Sequence, residues 1–165
     1  MYQLGDRVVY GIHGVCVIAD MEERTVDRKK VSYFVLEPLD QPGSRYYVPS
    51  QNPVALGKLR PVLSREEMDA LQNSAEVRMD AWIPDENQRK LRYRELISSG
   101  DRSALLCMVG TLYRHKNTLV DQGKKFHLCD DNFLRDAEKL LTSEISLVFD
   151  IEPAQVCAYL RKILQ

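Results

Sequence analysis

The 165-residue chain has no apolar run approaching the roughly eighteen residues of a membrane-spanning helix, so no membrane contact is expected. Residues 1–6 lack the basic start and apolar core of a secretory signal, and a cytoplasmic protein is expected. The four cysteines, Cys16, Cys107, Cys129 and Cys157, form no CxxC pair, which removes the tight ligand spacing of structural zinc sites. In a cytosolic chain, cysteines scattered among apolar neighbours act as small buried hydrophobes. A glycine-rich phosphate loop is also missing, because Gly11-Ile12-His13-Gly14 has neither the spacing nor the lysine. Neither charge sign dominates: 23 Lys/Arg stand against 24 Asp/Glu, a net charge of −1. Tryptophan occurs once, at Trp82.

What remains is the composition of a folded protein, 44% apolar and 28% charged, with enough apolar side chain to offset the entropy of ordering. The charge is unevenly spread. Residues 85–125 hold nine Lys/Arg and five acids, a local charge of +4. Residues 126–165 carry −3 and residues 1–84 carry −2. A basic middle between acidic flanks is a local electrostatic footprint that the whole-chain value hides.

The chain changes character near residue 63. Residues 6–11, 14–20, 30–37, 45–48 and 59–62 are short β-branched or aromatic runs, with a turn signal at Asp40-Gln41-Pro42-Gly43. Five strands in this length predict a small, strongly bent SH3/Tudor-like β-barrel over residues 1–62. Ser64-Arg65-Glu66-Glu67 then reads as a capping box opening a short helix, and residues 73–80 read as a polar connector, so 63–80 is a short helix and connector. From residue 81 to 165 the period is helical. Asp85 and Gly100 bound one helix, and Asp101 caps a second with a stripe of Leu105, Met108, Val109, Leu112 and Tyr113. Asp130 or Asp131 starts a third, and Pro153 sits at the first position of a fourth. The expected fold is therefore α+β in two domains, the second an all-α helical bundle.

Enzyme-like sites are weak in this sequence. His115, His127 and Cys129 fall close together, with Cys107 nearby, but the only tight pair is His127-x-Cys129, and zinc sites favour tighter sets. Cys16 beside His13 sits in a strand, where alternation makes it a packing residue. Glu67, Asp85, Asp101, Asp130 and Asp131 stand at helix starts, where they answer the helix dipole. No catalytic residue, cofactor, metal or small-molecule substrate is expected, and the protein is read as a non-enzyme. The basic set Arg89, Lys90, Arg92 and Arg94 lies in one helix; Arg89, Arg92 and Lys90 are expected on one face, with Leu91 and Ile97 turned elsewhere. Such a face suits DNA phosphates, with Lys124 and Lys125 as further contacts; the alternative is a solvated surface. Trp82, at the foot of that helix, fits either an apolar wedge against unstacked bases or a core position.

The opening Leu4-Gly5-Asp6-Arg7-Val8-Val9-Tyr10-Gly11-Ile12-His13-Gly14 resembles the start of the CarD family of bacterial transcription regulators, whose pattern is approximately GDxVVYPxHG. Tyr33-Phe34-Val35-Leu36, Val48-Pro49, Ser99-Gly100-Asp101 and the segment DAEKLLTSEISLV continue the resemblance along the chain. The N-terminal part is also similar to the RNA-polymerase-interacting domain of the transcription-repair coupling factor. The resemblance implies that residues 1–62 dock on the RNA polymerase β subunit and that the helical domain contacts promoter DNA and modulates open-complex stability. It places Arg24, in the turn Glu22-Glu23-Arg24-Thr25, and the strand Tyr46, Tyr47, Val48 and Pro49 on the polymerase. It leaves Trp82 as either a wedge at the promoter fork or a structural residue. Two departures stand out: Gly11 replaces the family's proline, and an ungapped count from Ser99-Gly100-Asp101 puts the family's tryptophan position near Glu86, one helical turn after Trp82. The rival from another class is a non-catalytic protein–protein adaptor on RNA polymerase that does not touch DNA.

Overall fold

A computed structural model describes residues 1–165. The chain forms two compact units, Met1–Val62 and Leu63–Gln165.

In the first unit, β-branched and aromatic residues build five antiparallel strands: β1 (Arg7–Tyr10), β2 (Val15–Val26), β3 (Lys29–Pro38), β4 (Tyr46–Pro49) and β5 (Leu59–Pro61). Their order in the sheet is β4-β3-β2-β1-β5. The sheet is open rather than the closed barrel expected: β4 pairs only with β3, and β5 only with β1. The two edge strands have four and three residues and do not pair with each other. The core comprises Val8, Cys16, Ile18, Phe34, Leu36, Val48 and Leu59, with Ala55 and Leu56 of the short helix α1 (Pro53–Leu56) packed against it. Gly11 and Gly14 take φ of 48° and 75° across the 3₁₀ turn between β1 and β2. A proline, locked near −65°, could not adopt the Gly11 backbone, so this turn excludes proline at position 11.

The strand β2 is much longer than its apolar run. Beyond Ile18 it continues through Glu22, Glu23 and Arg24, paired with β3 as far as Val26 opposite Lys29. Arg24 is therefore a strand residue, not the turn residue that its polar neighbours suggested. The hairpin closes through Asp27 and Arg28, both at positive φ (49° and 64°), the backbone that matches the twist of the flanking strands.

The second unit is all helical: α2 (Arg65–Gln72), α3 (Ala75–Arg78), α4 (Glu86–Ser99), α5 (Arg102–Asp121), α6 (Leu128–Phe149) and α7 (Val156–Leu164). The Ser64 capping box makes both its bonds, Glu67 N–H to Ser64 Oγ at 3.1 Å and Ser64 N–H to Glu67 Oε2 at 2.8 Å. Asp85 and Asp101 cap α4 and α5, and Gly100 ends α4 in the left-handed conformation. The expected polar connector instead contains α3. Ser74 caps it, and Val77 joins Met68 of α2 in the core. Helix α5 is buried over nine consecutive residues, Leu105 to Tyr113. A single stripe could not produce that pattern, so α5 is surrounded by its neighbours. No helix is long and apolar enough to cross a membrane.

Candidate functional site

In the sheet unit, one irregularity decides which side chains share a face. The pairing of β2 with β3 shifts between Ile18 and Asp20, leaving Ala19 as an extra residue. Side chains alternate with period two along a strand, so one inserted residue reverses the faces beyond it. Ile18 points into the core, and unbroken alternation would send Arg24 the same way. With the bulge, Arg24 comes to the opposite face, which it shares with Tyr47 of β4. The Arg24 guanidinium lies 4.0 Å from the Tyr47 ring centroid and bonds Glu22 at 3.1 Å. The hydrogen bond to Glu22 raises the Arg24 pKa above its usual value, and the charge is permanent. Along the edge strand β4, Tyr46 and Val48 turn inward against the core, whereas Tyr47 is exposed and Pro49 half-buried. Sequence reasoning named both Arg24 and Tyr47 but had no signal for the bulge that joins them.

In the helical unit the basic helix is turned differently from the expectation. The inward positions of α4 are Arg89 and Tyr93, while Leu91 is 60% exposed. Arg89 is 4% exposed, which takes it off the set of basic residues able to meet a phosphate. Its guanidinium donates to both oxygens of buried Asp130, Nε to Oδ1 at 2.9 Å and Nη2 to Oδ2 at 3.0 Å. Nη1 donates to the Ile83 carbonyl at 2.9 Å. Asp130 is thus a core partner and not the cap expected of it; α6 begins two residues earlier, after His127, without a side-chain cap.

Trp82 belongs to the same cluster. Its ring stacks on His115 with centroids 3.4 Å apart and planes 16° from parallel. The Arg89 guanidinium lies 4.3 Å from its centroid, and the ring packs against the edge of the core. Burial lowers the His115 pKa below its usual value, the Arg89 charge lowers it further and Asp130 opposes them.

The remaining basic residues are at the surface. Lys90 is half-buried and bonds Glu86 at 2.7 Å, an i,i+4 pair that lowers the Glu86 pKa. Arg92 makes a looser pair with Glu95 at 3.4 Å. Arg94, Lys124 and Lys125 are exposed. Lys124 and Lys125 follow Gly123 in the loop leading to His127.

The enzyme-like candidates are not assembled. No group of three or more His, Cys, Asp or Glu side chains is placed to hold a metal ion. His115 faces Trp82, and Cys107 donates to the Met79 carbonyl at 3.4 Å. Cys16 is fully buried and its thiol is pushed up to about 11 by that burial, while the His13 ring lies tilted against Tyr46 with centroids 4.1 Å apart.

Residues 2–63 match the family model of the CarD-like/TRCF RID domain. The match spans the sheet unit and includes Arg24, Tyr47 and the bulge at Ala19.

Proposed function

We propose that this chain, CarD-like by its RID domain, regulates transcription initiation by binding RNA polymerase through the sheet unit and promoter DNA through the helical unit. The mechanism is binding without chemistry. The RID match supports RNA polymerase as the partner; the docking site is its β subunit, met by a domain of Tudor-like fold. The observation that carries the proposal is the Arg24–Tyr47 pair on one face of that domain, beside the edge strand β4. An edge strand offers unpaired backbone groups to a partner strand, while the neighbouring side chains supply specificity. In the helical unit, Lys90, Arg92, Arg94, Lys124 and Lys125 are the bases assigned to DNA phosphates. Trp82 acts by holding the foot of α4, stacked between its cluster partners, and reaches an unstacked base only if that stack opens.

The test is affinity for the isolated polymerase β subunit. Arg24→Glu places a negative charge beside Glu22 and removes the stack on Tyr47, and should weaken binding at least tenfold at an unchanged melting temperature. Lys58→Glu, at an exposed site between α1 and β5, should leave it unchanged. Equal affinities for the Arg24 variant and the parent would reject the docking face. A second reading, an adaptor without DNA contact, draws on Arg89 being structural and on Lys90 and Arg92 having acidic partners. Salt-insensitive or absent DNA binding would favour it.

A further inference from the structure

The helical unit contains a cleft of about 340 Å³ among α3, the segment that follows it, α4 and α5. That volume lies within the roughly 300–1,000 Å³ of small-molecule sites. Met79, Ile83, Leu96 and Met108 supply an apolar wall, and two consecutive residues of α4, Arg92 and Tyr93, line the same space. The Tyr93 hydroxyl is buried and has no hydrogen-bond partner in the protein, a desolvated donor whose cost a ligand oxygen would relieve. Burial raises its pKa, so the hydroxyl stays protonated and available to donate. Arg92 is more than half exposed and held by Glu95 only at 3.4 Å, so it can turn to an anion at small cost.

We propose that this cleft binds a small monocarboxylic acid with an apolar body. The carboxylate accepts from the Arg92 guanidinium and the Tyr93 hydroxyl, and the body lies against Met79, Ile83, Leu96 and Met108. Glu76, on the opposing α3, repels a second negative charge and so selects against dicarboxylates. This site is independent of polymerase docking and shares only Arg92 with the bases assigned to DNA.

The probe is 4-phenylbutyrate, titrated calorimetrically into the full chain. Trp82 fluorescence is a second readout, because its neighbours Ala81 and Ile83 line the cleft. One saturable site is expected, with Kd of roughly 0.05–2 mM for a ligand of this size. Arg92→Gln, an exposed change that leaves the fold intact, should weaken it about tenfold but leave the neutral 4-phenylbutanamide unaffected. Tyr93→Phe removes a hydroxyl that has no partner in the protein; it should weaken the carboxylate about threefold without lowering the melting temperature. Ala104→Leu should fill the cleft and abolish binding. No saturable binding to the parent protein overturns the proposal, as does an unchanged 4-phenylbutyrate affinity in folded Arg92→Gln.

Discussion

Arg89 and Asp130 are 4% and 1% exposed, and a charge so placed is tolerable only when paired. Removing one partner strands the other in a dry site. Arg89→Ala should therefore destabilise the helical unit by about 3–5 kcal/mol, read by thermal or urea unfolding. Replacing both, as Arg89→Met with Asp130→Leu, should recover most of that stability, because the isolated charge is gone. Arg94→Ala should leave the melting temperature unchanged. Were Arg89→Ala as benign as Arg94→Ala, the buried pair would not exist in solution. The same cluster titrates. The folded His115 pKa is lowered from 6.5, chiefly by burial. Below pH 6.5 the unfolded chain takes up a proton that the folded site still refuses. Stability contributed by neutral His115 is thus complete above that pH and disappears as the pH falls toward the folded value. The melting temperature followed by Trp82 fluorescence should drop between pH 7.5 and 5.5, and His115→Phe, which keeps an aromatic partner for Trp82, should flatten that part of the curve.

Among the elements, the β2–β3 hairpin shows how a single backbone detail outranks side-chain pattern. Apolar alternation made the strands visible up to Ile18, but the polar stretch beyond it is held by pairing with β3 and carries no apolar signal. The bulge at Ala19 is a property of two strands in register and so is not written in either strand alone. Helix α4 is the complementary case. Its ends were legible, since Asp85 caps it and Gly100 closes it in the left-handed region. Its inward face was not, because the residue that fills the inward position next to Tyr93 is an arginine whose partner lies 41 positions away. Likewise α3 was hidden because one apolar residue, Val77, anchors four helical ones. The hairpin turn gives a direct test. Asp27 and Arg28 both sit at positive φ, a backbone that costs side-chain-bearing residues roughly 1–2 kcal/mol each and that Asn-Gly adopts readily. Asp27→Asn with Arg28→Gly should raise the stability of the sheet unit by about 1 kcal/mol, seen as a higher denaturant midpoint at unchanged slope.

Over the whole molecule, a net charge of −1 would seem to argue against a polyanionic partner, yet residues 85–125 of the helical unit carry +4 between acidic flanks. Polymerase docking by one unit would hold the other near promoter DNA at high effective concentration, so phosphate contacts too weak to act alone would still count. The bases that matter are those left at the surface once Arg89 is assigned to the core. Arg94, Lys124 and Lys125 are exposed and free of the acidic partners that hold Lys90 and Arg92. Removing one phosphate-binding base should lower the slope of log affinity against log salt by about 0.9. The combined Arg94→Ala, Lys124→Ala and Lys125→Ala variant should therefore flatten that slope by up to about 2.7 on duplex DNA of any sequence. Its affinity for the polymerase β subunit should stay as it was, because Arg24 and Tyr47 are untouched. Arg24→Glu should do the reverse, sparing duplex binding while weakening the hold on polymerase. If the triple variant binds DNA with the parent's slope, Arg94, Lys124 and Lys125 are solvated surface and do not meet phosphate, a result that would leave the docking face standing.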